Sequence, residues 1–128
     1  MVVDTSAILA VLLKEPERFE FLRKLASARR CQISAVSYME SAMVLISRFG
    51  TVAESALDKV LHEASIIVTP VSVAHSRLAI AAFRHYGKGR HPAGLNFGDC
   101  FSYALAKDCA EPLLFKGLDF AKTDILSA

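Results

Sequence analysis

Val2-Val3-Asp4-Thr5-Ser6 opens the chain with two β-branched residues, a carboxylate and two hydroxyls. The valines read as a short buried strand, and the polar triplet as the point where the strand turns into a helix. A helix is expected over Ala7–Leu13, capped by Thr5 or Ser6 and ended by Glu15-Pro16. Three further apolar bursts, Cys31–Ser34, Ile66–Val68 and Leu113–Phe115, are spaced through the chain with helical stretches between them. No Asn-Gly or similar dipeptide marks a hairpin. Strands this short and apolar, regularly separated by helices, belong in a parallel sheet covered on both faces. The fold class is α/β.

The intervening segments carry helix punctuation. One helix begins near Pro16 or Glu17, with Phe19, Leu22 and Leu25 expected on its apolar face. Ser34 or Ser37 opens a strongly apolar helix that runs to Phe49 and stops at Gly50. Thr51 and Glu54 are spaced as a capping box for the next, whose stripe is Ala56, Leu57, Val60, Leu61 and Ala64. Ser72 starts a helix that reaches Tyr86 through Leu78, Ala79, Ala82 and Phe83, and Gly87 closes it. Gly87–Leu95 is the one clear loop, and Asn96 caps a helix from Phe97 to about Cys109.

With 128 residues, 53% of them hydrophobic, the chain can bury one core and has no room for a second, so residues 1–128 are expected to form a single domain. Cys31, Cys100 and Cys109 are an odd number without a C-x-x-C pair, which argues against a disulfide framework or a zinc site. Met1-Val2-Val3 meets Asp4 at once, without the basic and apolar regions of a signal peptide. No charge-free run approaches the roughly 20 apolar residues of a membrane span. A soluble, cytoplasmic protein with no membrane association is the expectation. The 15 basic residues exceed the 13 acidic ones by only two, which excludes a protein that coats a polyanion by charge alone.

In a parallel α/β sheet, ligands sit outside the carboxyl ends of the strands. Asp4 stands there, directly after the first strand, although the same residue is also a good helix cap. Glu40 has Val36, Ser37, Met43 and Val44 three and four residues away, so no ion pair on its own helix neutralises it. A buried carboxylate on so apolar a helix must be protonated, paired from another element, or bound to a cation. Asp99 lies in the first turn of the Asn96-capped helix, where Asn96-x-x-Asp99 also reads as a variant capping box. Asp119 follows the fourth strand and Asp124 stands five residues further on; an Asx turn accounts for either. Together these acids gather at one sheet edge, and converging carboxylates call for a divalent cation, magnesium or manganese. Such an ion generates hydroxide from water and stabilises a phosphodiester transition state.

Arg84, His85, Lys88, Arg90 and His91, with Tyr86 among them, form the only concentrated basic stretch, and it directly precedes the Asp99 helix. It suits the phosphates of an extended polyanion, as well as an ordinary solvated loop. Cys100 reads as a small buried hydrophobe, and His62, His75, His85 and His91 as surface residues. Neither a P-loop nor a G-x-G-x-x-G is present.

The most specific stretches are Val-Val-Asp-Thr-Ser at 2–6, Glu40 within Ser-Tyr-Met-Glu-Ser-Ala at 37–42, the run Tyr-Gly-Lys-Gly-Arg-His-Pro-Ala-Gly-Leu-Asn-Phe-Gly-Asp-Cys at 86–100, and Phe-Lys-Gly-Leu-Asp-Phe at 115–120 with Thr-Asp-Ile at 123–125. In this order the chain resembles PIN-domain ribonucleases, most of all the VapC toxins of bacterial type II toxin-antitoxin modules. The resemblance spans essentially the whole chain. It implies a three-layer α/β/α fold around a short parallel sheet of four to five strands. It also implies that Asp4, Glu40, Asp99 and Asp119 form an acidic quartet for one or two Mg2+ or Mn2+ ions, with Ser6 as the hydroxyl beside the site and Asp124 as a candidate fifth acid. Ser6, Lys88 and Arg90 are the expected substrate contacts. The implied activity is endoribonuclease cleavage of single-stranded RNA by metal-activated water. The implied partners are the RNA, a cognate VapB antitoxin whose C-terminal segment occupies the site, and a second copy in a homodimer.

Two other classes fit parts of the sequence. One is a non-catalytic RNA-binding or partner-scaffolding module; the other is a magnesium-dependent phosphatase or phospho-acceptor domain with Asp4 as the phosphorylated residue. Ser6 stands where the phosphatase version needs a second aspartate. Withdrawing the four quartet acids into a pocket leaves nine acidic residues against 15 basic ones, an exterior of about +6 that attracts RNA.

Overall fold

Val2 and Val3 form strand β1, and both are fully buried. The computed structural model describes residues 1–128. After β1 come α1 (Thr5–Leu12), α2 (Arg18–Ser27), β2 (Cys31–Ser34), α3 (Ala35–Phe49), α4 (Ala53–Glu63), β3 (Ile66–Thr69), α5 (Val73–Tyr86), α6 (Phe97–Cys109) and β4 (Leu113–Leu114). A single 3-10 turn at Phe120–Lys122 follows. The four strands are parallel in the order β3-β2-β1-β4.

Register divides the core into two. Val2 lies beside Leu113 and Val3 beside Leu114, and alternation along the strands sends each pair to opposite faces. Val2 and Leu113 meet Ala79 and Ala82 of α5 and Cys100, Ala104 and Leu105 of α6. Val3, Ile33 and Leu114 meet Ile8 of α1, Phe21 of α2, Leu45 of α3 and Leu57 of α4. The result is the expected α/β/α arrangement, with four strands. The chain runs outward from β1 through β2 to β3, then crosses back through α5 and α6 to β4 on the other side of β1. Strand order therefore reverses at β1, which places the crevice of a doubly wound sheet at its carboxyl end.

Several local expectations change. Phe21, not Phe19, is the buried aromatic of α2; Phe19 faces solvent. The start of α2 at Arg18 turns Phe21 and Leu25 onto one face, four residues apart. Thr51 and Glu54 form no capping box, because α4 begins at Ala53 after Val52, and its stripe is Ala53, Leu57 and Leu61, with Ala56 exposed. The sheet is not covered throughout: Ile67 and Val68 of edge strand β3 are exposed. His75 is buried rather than on the surface. Its Nδ1 accepts from the Ser72 N–H at 3.3 Å, its N–H donates to Ser72 Oγ at 3.0 Å, and Nε2 lies 3.0 Å from Asp108 Oδ2. That histidine completes the cap of α5 and ties its start to α6. No helix is long and apolar enough to cross a membrane.

Candidate active site

Asp4 ends β1 and caps α1, so its carboxylate stands at the carboxyl end of the sheet. Its Oδ2 accepts from the Ser6 N–H at 2.9 Å and from Ser6 Oγ at 2.6 Å, while Oδ1 accepts from Ser102 Oγ at 2.5 Å. It is 2% exposed. Ser6 Oγ also accepts from the Lys116 N–H at 2.9 Å, which joins the start of α1 to the segment leaving β4.

Glu40 projects from α3, the helix that Ser34 caps at the carboxyl end of β2. Its Oε2 accepts from Thr5 Oγ1 at 2.7 Å. The carboxylate rests on the first turn of α6 directly over Gly98, where any Cβ would collide with it. Asp99, the next residue, forms the reciprocal capping box with Asn96: Asp99 N–H donates to Asn96 Oδ1 at 2.9 Å, and Asn96 N–H to Asp99 Oδ2 at 2.8 Å. Asp119 is exposed just before the 3-10 turn and makes no side-chain cap bond there.

Electrostatics tie these four together. Burial, first of all, pushes the Asp99 carboxyl up to about 6; the Asn96 N–H opposes this, and the charges of Asp4, Glu40 and Asp119 add to the rise. Every ion pair lies elsewhere: Lys24 with Glu20, Lys59 with Glu63, His75 with Asp108, Lys107 with Asp124, Lys116 with Glu15 and Glu17, and the amino terminus with Glu111. No Lys or Arg neutralises the quartet. No three His, Cys, Asp or Glu side chains are drawn into a ready-made metal cluster. The donor set is nonetheless all carboxylate oxygen, without a competing cation, which fits a hard divalent ion that keeps waters in its remaining positions.

The family model for the PIN domain matches residues 1–126. Ribonuclease VapC28 of Mycobacterium tuberculosis is 49% identical over 129 residues, covering 100% of this chain and 97% of the relative. Ribonuclease VapC of Mycolicibacterium smegmatis is 48% identical over 125 residues, covering 98% and 97%. The chain belongs to the VapC family of PIN-domain ribonucleases. In fold, this PIN domain is similar to crystalline VapC20 of Mycobacterium tuberculosis, described as a sarcin-ricin loop cleaving toxin, with a TM-score of 0.80 at 18% identity over 99% of this chain and 97% of that one.

The PIN fold does not bring Asp124 to the quartet. Its Oδ1 accepts from Tyr103 Oη at 2.8 Å and its Oδ2 pairs with Lys107 at 2.6 Å, and the charges acting on Asp99 are those of Asp4, Glu40 and Asp119. Lys88 is exposed on the Gly87–Leu95 loop. The Arg90 guanidinium lies over the Phe83 ring, 5.4 Å from its centroid, and lines a cavity between α5 and α6 with Phe97. Three residues that touch the quartet, Thr5, Gly98 and Ser102, and Ser37 behind Ser102, escaped the sequence reading of the site. Their signals were faint. Gly98 is a glycine in a first helical turn, and Ser102 is a hydroxyl between Phe101 and Tyr103 in an apolar helix.

Proposed function

We propose that residues 1–128 act as one unit, a metal-dependent endoribonuclease that hydrolyses phosphodiester bonds in RNA as the toxin of a type II toxin-antitoxin module. The observation that carries the metal dependence is the acidic set in which the charges of Asp4, Glu40 and Asp119 act on Asp99 without a basic partner. Full-length similarity to VapC ribonucleases supports the reaction and the biological role.

Asp4 and Asp99 are the principal ligands for Mg2+ or Mn2+, and Glu40 and Asp119 complete the acidic wall. A bound ion would neutralise these charges and supply an activated water and charge stabilisation for phosphodiester hydrolysis. Ser6 holds Asp4 Oδ2 and so serves the ligand before the substrate. Lys88 and Arg90 hold the phosphates flanking the scissile bond. Asp4 is a poor phospho-acceptor, since hydrogen bonds already engage both of its oxygens.

The cognate VapB-type antitoxin competes with RNA at the acidic site. Homodimerisation has its own support: two grooves of about 620 Å³ each meet at the exposed Phe97, one lined by Met39 and Met43, the other by Ile80 and Phe83. An apolar face of this kind calls for a cover, and a second copy is the one proposed. Sedimentation of Phe97→Glu tests it, with a monomer expected.

The deciding experiment is RNA cleavage by the wild type with magnesium, by the wild type with EDTA, and by Asp4→Ala and Asp99→Ala. Cleavage is expected only in the first. Cleavage that survives EDTA and both substitutions overturns the proposal, whereas metal-independent RNA binding without cleavage or toxicity identifies a scaffolding module.

A further inference from the structure

We propose that Ser102, backed by Ser37, is a positioning residue that sets the Asp4 carboxylate for cation binding; this rests on the metal-dependent reading above. Ser102 lies on α6, three residues beyond Asp99, and is fully buried. A serine inside a helix ordinarily turns its hydroxyl back to a carbonyl of the preceding turn. Ser41 and Ser47 of α3 do so, donating to Ser37 O and Met43 O at 2.7 Å each. Ser102 instead spends its one hydrogen on Asp4 Oδ1, 98 residues away in sequence.

That bond fixes the direction of the next. An ionised carboxylate only accepts, so Ser102 is the donor, and its 2.9 Å contact with Ser37 Oγ must be a donation from Ser37. A directed chain results: Ser37 to Ser102 to Asp4. Ser37 is fully buried too; its carbonyl oxygen accepts from Ser41 Oγ at 2.7 Å and lies 3.2 Å from Thr5 Oγ1. The one Thr5 hydrogen goes to Glu40 Oε2, its shorter contact.

Helix formation has no need of these hydroxyls. Alanine is the better helix former and occupies positions 104 and 106 of the same buried helix. Three donors on two oxygens stop the Asp4 carboxylate from rotating and leave its free lone pairs in one direction. Polar groups that orient metal ligands in this way are typically worth 10- to 100-fold in metal affinity.

Manganese affinity, measured by titration calorimetry on the full chain, tests the proposal, with the melting midpoint of the metal-free protein alongside. Ser102→Ala is expected to weaken binding about 10- to 100-fold, with only the modest fall in midpoint that one lost buried hydrogen bond brings, and Ser37→Ala to weaken it by less. Adding Ser37→Ala to Ser102→Ala is expected to cost nothing more, because the chain is already broken. Wild-type affinity in Ser102→Ala overturns the proposal and leaves the metal site standing. Additive losses of affinity that scale with the fall in midpoint also overturn it, since they mark a structural role. If Ser102→Ala does not fold, a normal affinity in Ser37→Ala overturns the backing role and a reduced one supports the chain. A wild type that binds no manganese and cleaves RNA in EDTA overturns the metal reading, and this proposal with it.

Discussion

The carboxyl end of the sheet and the rest of the surface treat acidic residues in opposite ways. Away from the site, most acids have cations, as Asp124 has Lys107, Glu20 has Lys24, and Glu111 has the amino terminus; Asp58 takes the Tyr38 hydroxyl instead. At the site, Asp4 and Glu40 accept hydrogen bonds from hydroxyls, and Asp99 accepts one from a backbone N–H. Lys116 makes the contrast sharpest, because its backbone touches Ser6 while its ammonium is held by Glu15 and Glu17. Neutral donors orient a carboxylate without cancelling its charge, whereas an ion pair would cancel it. The difference separates charge used for packing from charge kept available for a ligand.

The largest test of this contrast is Asp4→Asn, which keeps an acceptor for its neighbours and removes the charge. RNA cleavage is expected to fall by more than about 100-fold, since loss of a ligand should exceed the loss of a residue that merely orients one. Next comes pH. The Asp99 carboxyl is raised from 3.8 to about 6, so the fold binds that proton more tightly than the unfolded chain does. Its destabilising effect is therefore absent below about pH 4 and complete above about pH 6. The melting midpoint of the metal-free protein should decline across that interval relative to Asp99→Asn, which retains the cap acceptor. Manganese binding should strengthen over the same range, as proton and cation compete.

Gly98→Ala is a smaller perturbation. The new Cβ would push the Glu40 carboxylate off the first turn of α6, and a roughly 10-fold loss of manganese affinity is expected from calorimetry. Stability should change by no more than about 1 kcal/mol, because alanine favours the helix. Smallest is Lys107→Ala, which breaks an ion pair between partly exposed side chains. A loss of about 1 kcal/mol or less in denaturant unfolding is expected, with RNA cleavage unchanged. A large loss of cleavage there would erase the distinction between paired and unpaired acids.

Much of the scaffold was legible because it depends on neighbours in the chain. β1 ends at Asp4, Ser34 and Asn96 cap their helices, Gly50 stops α3, and Glu40 lacks a partner within its own helix. Where a prediction depended on which face of a helix meets the sheet, it was less secure. Phe19 and Phe21 are chemically identical, and only the start and orientation of α2 bury the second. Thr51 and Glu54 had the spacing of a cap without the helix start in the right place.

By itself the sequence determined an α/β chain with acids after its strands, because strand periodicity, cap chemistry and missing i,i+4 partners are short-range properties. Only the tertiary structure decided which acids share a field. It brought Asp119 near enough for Asp99 to sense its charge and tied Asp124 to Lys107, although the two aspartates are five residues apart. It also placed Ser102 against Asp4 and Gly98 beneath Glu40. Those relations depend on the approach of α6 to β1 and α3, a packing of elements distant in sequence, and no local pattern along the chain encodes it.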